Sequence, residues 1–338
     1  MNEMMASEIE AQSEILSLCL IPLYERVAQV TAPEGRVYAG GCGDSAFAPA
    51  ALDQVFSGLG YDIEPRTSMQ LSSFTRFTPT DTVILSSISG GTKRTVEAAH
   101  TARKAGARVI ALTCNGESNL AFAADETIIL PFSPISRKTP HTLDYSVTLL
   151  ALVQLVSAWA GRPIAEMQKL IQTVPALLKV ASGTAASIVK KIDPAGKLFF
   201  LGAGPGLAHA NYAAAKFHEA GGIVAIAAET ENFVHGMNFM VEPADFIVLL
   251  SGNNSVLRRS QQIAAAFNDF AGCEIISPEF SPEETSSFSH VLEATFVLQY
   301  LCLNFANISK LQVEQPRAGR INGDKHLAIQ TTIMAERP

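Results

Sequence analysis

One short pattern occurs twice in this chain, and a duplicated pattern constrains a fold more tightly than any composition. An apolar run enters a glycine turn at Val37-Tyr38-Ala39-Gly40-Gly41-Cys42-Gly43, and another does so at Phe199-Phe200-Leu201-Gly202-Ala203-Gly204. A later apolar run ends in Ser-Gly at Ser89-Gly90 and again at Ser251-Gly252. Ser89 follows Gly41 by 48 residues and Ser251 follows Gly202 by 49. Around the first copy, strand-like runs at Val37–Gly40, Tyr61–Glu64, Thr82–Ser86, Arg108–Thr113 and Glu126–Leu130 alternate with helical patterns. Those helical patterns cover Ala46–Ser57, Thr92–Ala105 and Thr142–Ala160. Beyond Gly161-Arg162-Pro163, a long helical stretch from Ile164 to Lys191 leads to runs at Leu198–Leu201, Gly222–Ala225, Phe246–Leu250 and Glu274–Ile276. Short, wholly apolar runs suit strands covered on both faces, and alternation with helices suits a parallel sheet. The expected fold is therefore α/β, as two flavodoxin-like three-layer αβα sandwiches. The expected divisions are an N-terminal helix (1–34), a first domain (35–163), a second domain (164–315) and a C-terminal tail (316–338).

Composition agrees with this and removes other classes. The 338 residues suffice for two domains of about 150 residues each, and a 48% hydrophobic content can fill two cores. With 25 basic against 32 acidic residues, the net charge of −7 argues against nucleic acid, which needs a basic face. The apolar run Ile15–Leu23 is short, contains Pro22 and follows acidic residues, so neither a membrane span nor a signal peptide is expected. Five scattered cysteines without a CxxC pair predict reduced thiols, a cytoplasmic location and no metal site; no cofactor is expected either.

The main chemical signal is Ser86-Ser87-Ile88-Ser89-Gly90-Gly91-Thr92, set between a buried strand and a helix. A helix start offers unpaired N–H groups and partial positive charge, glycines admit close approach of an anion, and hydroxyls add donors. The competing reading is a polar turn with Thr92 as an ordinary N-cap. No lysine completes a nucleotide P-loop, so a small phosphorylated metabolite fits better. A rival reading of the first turn, Gly41-x-Gly43-x-x-Ala46 with Glu64 ending the next strand, is a partial dinucleotide fingerprint.

Here the sequence resembles a known family. Ser87–Thr92 looks like the SxSGxT phosphosugar loop of the SIS (sugar isomerase) family, and Gly41-x-Gly43-x-Ser45 looks like that family's first glycine turn. Lys216-x-x-Glu219 resembles its K-x-x-E helix, Glu231-x-x-x-His235-Gly236 its E-x-x-x-H-G motif, and Glu314-Gln315-Pro316-Arg317 the D-Q-P-R before its tail. The double arrangement is similar to the isomerase half of glucosamine-6-phosphate synthase and to fructosamine-6-phosphate deglycases. The resemblance implies phosphate and sugar contacts from Gly43, Ser45, Ser87, Ser89, Thr92 and Thr142. It also implies Glu219 as the base that moves a proton between C1 and C2 of a hexose 6-phosphate or amino-hexose 6-phosphate. His235 would be the ring-opening group, supplied by a neighbouring subunit, so the working unit is expected to be a homodimer with a shared site. Thr142 reads equally well as an N-cap, and His218 as a packing or surface residue.

The departures are as informative. Ile88 and Gly91 stand where the family loop has Gln and Glu, and Tyr212 where the synthase has an acid seven residues before the shuttle glutamate. The lysine that follows D-Q-P-R in the synthase aligns with Ile321; Arg320 and Lys325 are candidate tail contacts, but an arginine cannot serve as an amine nucleophile. The residues before the first strand are too few for a glutaminase domain, so no ammonia transfer from glutamine is expected. The leading expectation is an aldose–ketose isomerase in the broad sense. Deglycase or glucosamine-6-phosphate deaminase chemistry, and a non-catalytic phosphosugar sensor, are the alternatives.

Overall fold

The computed structural model describes residues 2–136, 140–251, 254–276, 286–318 and 320–334. They form two parallel sheets in two compact units. One unit comprises Gln12–Pro134, Leu143–Gln172 and Leu327–Pro338; the other comprises Met1–Ala11, Ile135–Thr142 and Thr173–His326. The chain opens with helix α1 (Glu3–Val27). The first sheet has β1 (Val37–Gly41), β2 (Ile63–Thr67), β3 (Thr82–Ser86), β4 (Arg108–Thr113) and β5 (Glu126–Ile129) in the order β2-β1-β3-β4-β5. Its helices are α2 (Asp44–Ala51), α3 (Asp53–Gly58), α4 (Ser68–Ser73), α5 (Lys93–Lys104), α6 (Asn119–Ala123), α7 (Leu143–Trp159) and α8 (Ile164–Ile171). Every residue of β1 and β3 is buried, as strands covered on both faces must be.

The second sheet has β6 (Leu198–Gly202), β7 (Ala225–Glu229), β8 (Phe246–Leu250) and β9 (Gly272–Ile276) in the order β7-β6-β8-β9. Helices α9 (Val174–Val189), α10 (Pro205–Gly221), α11 (Thr230–Val234), α12 (Asn254–Phe267) and α13 (Ser286–Ile308) flank it, and α14 (Gly323–Met334) ends the chain. Phe200, Phe217 and Phe305 seat α10 between β6 and α13, with ring centroids 5.3 Å apart at each step. By length and composition Phe288–Ile308 of α13 could cross a membrane, but 72% of its most apolar stretch is buried, as in a core helix.

The repeat survives in atomic detail. Gly43 and Gly204, each just before the helix that follows the first strand, have φ/ψ of 55/−126° and 54/−128°, a region open to glycine and strained for other residues. Arg36, just before β1, pairs with buried Asp81 at 2.8 Å; Lys197, just before β6, pairs with buried Asp245 at the same distance. Each carboxylate also accepts a backbone N–H from the preceding turn, Thr78 to Asp81 and Glu242 to Asp245. Burial alone would raise both carboxyls, but the hydrogen bonds from Arg36 and Thr78, and from Lys197 and Glu242, outweigh it and hold them below the ordinary value. Gly252, which closes the second copy of the pattern, lies outside the described residues.

Several expectations shift. The helical pattern Ala46–Ser57 is two helices, α2 and α3, that meet at Leu52, and edge strand β9 begins two residues earlier than its apolar pattern suggests. The stretch 164–191 is two helices, because Pro175 near the start of α9 cannot continue the α8 hydrogen-bond ladder. Edge strands β2 and β7 begin two and three residues later than their apolar patterns suggest. Because β2 runs on to Thr67, Glu64 is its second residue and lies toward the amino edge, where it pairs with Arg66. It is thus far from the carboxyl edge that a dinucleotide-binding carboxylate would occupy, and the dinucleotide reading loses its acid.

Candidate functional site

In the first sheet the strand order reverses between β1 and β3, and the crevice outside the carboxyl ends at such a point is where open α/β sheets bind ligands. Gly41 pairs in register with Ser86, so the turn carrying Gly43 and Ser45 stands beside the loop carrying Ser87, Ser89 and Thr92. That loop is firmly built. Ser87 N–H donates to Leu112 O at 3.0 Å, and Thr113 Oγ1 and Cys114 N–H both reach Ile88 O, at 3.1 and 3.0 Å. Gly90 has φ 65°, its carbonyl accepts from Leu120 N–H at 2.9 Å, and a Cβ there would lie 2.0 Å from Ser118 Oγ.

Thr92 occupies the N-cap position of α5, yet among the described residues its side chain caps no helix N–H. Its hydroxyl instead lies 3.0 Å from that of buried Ser87. Ser89 is exposed and its hydroxyl accepts the Gly91 N–H at 3.2 Å. The ordinary-cap reading of Thr92 therefore fails, and the Ser87 and Thr92 hydroxyls face one another at the mouth of a helix whose dipole favours an anion.

In the second-sheet unit, α10 carries Lys216 and Glu219 one turn apart. The Lys216 side chain is 0% exposed and its ammonium lies 2.7 Å from Glu219 Oε2, whereas the Glu219 side chain is 45% exposed. The carboxylate expected to act as the base is thus accessible and held by a buried cation. Thr142 is wholly buried, its hydroxyl donating to Glu8 Oε2 at 3.1 Å and its carbonyl accepting from Gln299 Nε2 at 3.1 Å. His235 follows α11, 75% exposed, with Nε2 3.6 Å from Glu231. Arg259 grips Glu231 through two hydrogen bonds and holds that carboxyl below its ordinary value. Among the described residues His235 makes no hydrogen bond or ion pair to Glu219. His218, beside the glutamate, turns its Nε2 to Ala225 O at 2.8 Å, a structural contact.

The tail residue Arg320 reaches Gly222 O at 3.4 Å, at the carboxyl end of the helix that bears Glu219, where a cation complements the helix dipole. Lys325 is exposed on α14. Burial pushes His209, on α10, down to about 4, and its Nδ1 has no hydrogen-bond partner among the described residues. Among those residues no three His, Cys, Asp or Glu side chains gather as metal ligands would. Sequence reasoning missed Glu8 and Gln299. The available signal for Glu8 was an acid at helical spacing among Met5, Ile9 and Gln12, all buried on one face of α1.

The sequence model of the family described as SIS domain matches residues 32–158 and 191–270. A curated relative, the 3-hexulose-6-phosphate isomerase of Mycobacterium gastri, is 36% identical over 115 residues, which are 33% of this chain. The match spans about half, 53%, of that relative's length. Among solved structures, glucosamine-6-phosphate deaminase from Thermotoga maritima superposes with a TM-score of 0.75 at 18% identity, covering 93% of this chain and 97% of that one. The C-terminal domain of glucosamine-fructose-6-phosphate aminotransferase from Francisella tularensis gives 0.75 at 18% identity, covering 94% and 99%.

Proposed function

The chain belongs to the SIS-domain family, and from that premise we propose that it is a phosphosugar isomerase-type enzyme that moves a proton between C1 and C2 of a hexose 6-phosphate or amino-hexose 6-phosphate. The observation that carries the reading is the Lys216–Glu219 pair, in which a solvent-reached carboxylate is held 2.7 Å from a wholly buried ammonium. The ammonium fixes one carboxylate oxygen and leaves the group open to solvent, as a base that must reach a carbon-bound proton requires. A carbon acid next to a carbonyl needs such a base placed within about 3 Å of its proton.

In this reading the sugar phosphate binds at the start of α5, on the Ser87, Ser89 and Thr92 hydroxyls and the loop N–H groups, with Gly43 and Ser45 beside them. Glu219 takes the proton from one carbon of the open chain and returns it to the other, and Lys216 fixes the carboxylate. His235 opens the ring. Its exposure favours its acting on the site of a second copy in a homodimer. Lys216 does not replace the missing tail lysine as an amine nucleophile, since no surface of its side chain is open to a ketose.

The test is to incubate the protein in D2O with fructose 6-phosphate, a 3-hexulose 6-phosphate, glucosamine 6-phosphate and fructosamine 6-phosphate, following products and C1/C2 deuterium incorporation by NMR. Exchange and aldose–ketose conversion are expected; release of ammonia or an amine would identify a deaminase or deglycase. Binding that raises the melting temperature without any exchange would overturn the enzymatic reading.

A further inference from the structure

An ammonium without access to water is stable only when its surroundings satisfy it. Among the described residues, those around Lys216 include the Glu219 carboxylate at 2.7 Å, the His141 carbonyl at 3.3 Å, and the face of Tyr212, whose ring centroid is 5.3 Å away. Two of them are themselves held. Tyr212 OH donates to the same His141 carbonyl at 3.4 Å and accepts from Gln299 Nε2 at 2.9 Å. That Gln299 nitrogen also reaches Thr142 O at 3.1 Å, and the Thr142 hydroxyl donates to Glu8, which accepts Ser136 N–H at 2.9 Å as well. Glu8, Thr142, Tyr212, Gln299 and Lys216 are each at most 1% exposed. The run of contacts thus passes from α1 through residues 141–142 and α13 to α10, and ends on Glu219, the member that solvent reaches.

Spacing on α10 makes this one device. Residues 212, 216 and 219 follow one another at helical intervals of four and three, so they share a face. Tyr212 stands at the position where the sequence departs from an acid, and a phenol there supplies both a ring for the ammonium and a hydroxyl for Gln299. A carboxylate that must meet a C–H bond in a fixed geometry depends on such buried support, because small displacements weaken proton transfer steeply.

We propose that Tyr212 and Gln299 are positioning residues that hold the Lys216 ammonium, and through it the Glu219 carboxylate, in the geometry needed for proton transfer. The proposal rests on the reading of Glu219 as the shuttle base.

The test compares full-length Tyr212→Phe and Gln299→Leu with the parent protein in two readouts. The first needs no substrate: reductive methylation with formaldehyde and a borane, with the Lys216 peptide followed by mass spectrometry against exposed Lys104. Lys216 should be protected in the parent and react at least about fivefold faster in both variants. The second is C1/C2 deuterium exchange on the active sugar phosphate, where kcat should fall about tenfold while KM stays within about twofold. A purely structural role would lower the melting temperature and the active fraction without exposing Lys216. Equal protection of Lys216 in parent and variants overturns the proposal, as does an unchanged kcat in a variant whose Lys216 has become reactive. If the parent exchanges no proton on any substrate, the functional reading falls and with it the catalytic half of this proposal, while the methylation rates still decide whether Tyr212 and Gln299 hold the ammonium. Tyr212→Phe keeps the ring and nearly the volume, so it serves alone if Gln299→Leu does not fold.

Discussion

Gly90→Ala is the sharpest test of the phosphate loop, because one added carbon meets three separate penalties. Gly90 has φ 65°, and an alanine there costs about 1–2 kcal/mol relative to glycine. The new Cβ would lie 2.0 Å from Ser118 Oγ, 2.3 Å from Ser118 Cβ and 2.9 Å from Thr113 Oγ1. The Ser118 Cβ is too close to its backbone to swing away, so either the loop or the start of α6 must move, at about 1–3 kcal/mol for overpacking. Moving Ser118 also removes its hydroxyl from the Ala121 N–H it caps at 3.3 Å, a loss of about 1 kcal/mol. These effects overlap, so about 3–5 kcal/mol is expected, or a fall of about 10 °C in the melting temperature of a domain this size. The control is Gly91→Ala. A Cβ there would meet only Ser89 Oγ, at 3.8 Å, and the melting temperature should stay within about 1 °C. Differential scanning calorimetry with and without a sugar phosphate reads both stability and binding. If Gly90→Ala melts with the parent and is stabilised equally by the ligand, the loop is not built as described.

Other outcomes follow from single contacts. Glu219→Gln should lower C1/C2 proton exchange by at least about 100-fold, and it should also lower the melting temperature, because it leaves the buried Lys216 ammonium without its anion. Lys216→Met replaces a buried ammonium with an apolar chain of similar length; it should fold with unchanged or higher stability yet lose exchange activity, and a variant that keeps both would remove the lysine from the mechanism. Ser87→Ala and Thr92→Val should each weaken protection by inorganic phosphate several-fold in thermal shift, because each removes one donor from the mouth of α5. Stability should fall with acid in two stages. The folded value of His209, about 4, lies below its ordinary 6.5, so its contribution is complete above about 6.5 and is lost as pH falls toward 4. Asp81 and Asp245 are also depressed, so theirs is complete above the ordinary carboxylate range, about 4, and is lost only below it. His209→Leu should therefore flatten the upper stage of a melting-temperature titration and leave the lower one.

Legibility in the sequence followed burial. Strands β3, β4 and β8 have the limits their apolar runs suggest, because the middle of a strand covered on both faces is apolar and the run ends where the cover ends. At the edges that logic weakens. Only Ile63 of β2 is fully buried, so its apolar signal is one residue wide and says nothing about the extension to Thr67. Helix breaks were hidden for a related reason: α8 and α9 keep an apolar pattern across Gln172–Thr173, and the break comes from the missing N–H of Pro175 rather than from any change in polarity.

The site was legible where chemistry lies along the chain and obscure where it depends on contacts between distant residues. Ser87, Ser89 and Thr92 are local, and the residue types alone announce an anion cradle. That Thr92 turns to Ser87 instead of capping α5 is set by the sheet beneath, and no spacing encodes it. Lys216 and Glu219 were visible as a pair, but not the distribution of burial between them: the protein buries the ammonium and leaves the carboxylate reachable. The desolvation problem falls on Lys216, which meets Glu219, the His141 carbonyl and the Tyr212 ring; Gln299 holds Tyr212 and Thr142, and Glu8 holds Thr142 in turn, residues up to 291 positions apart that only folding brings together. The departure at Tyr212, which in sequence looked like a missing acid, is in the structure a phenol whose ring meets the Lys216 ammonium and whose hydroxyl meets Gln299.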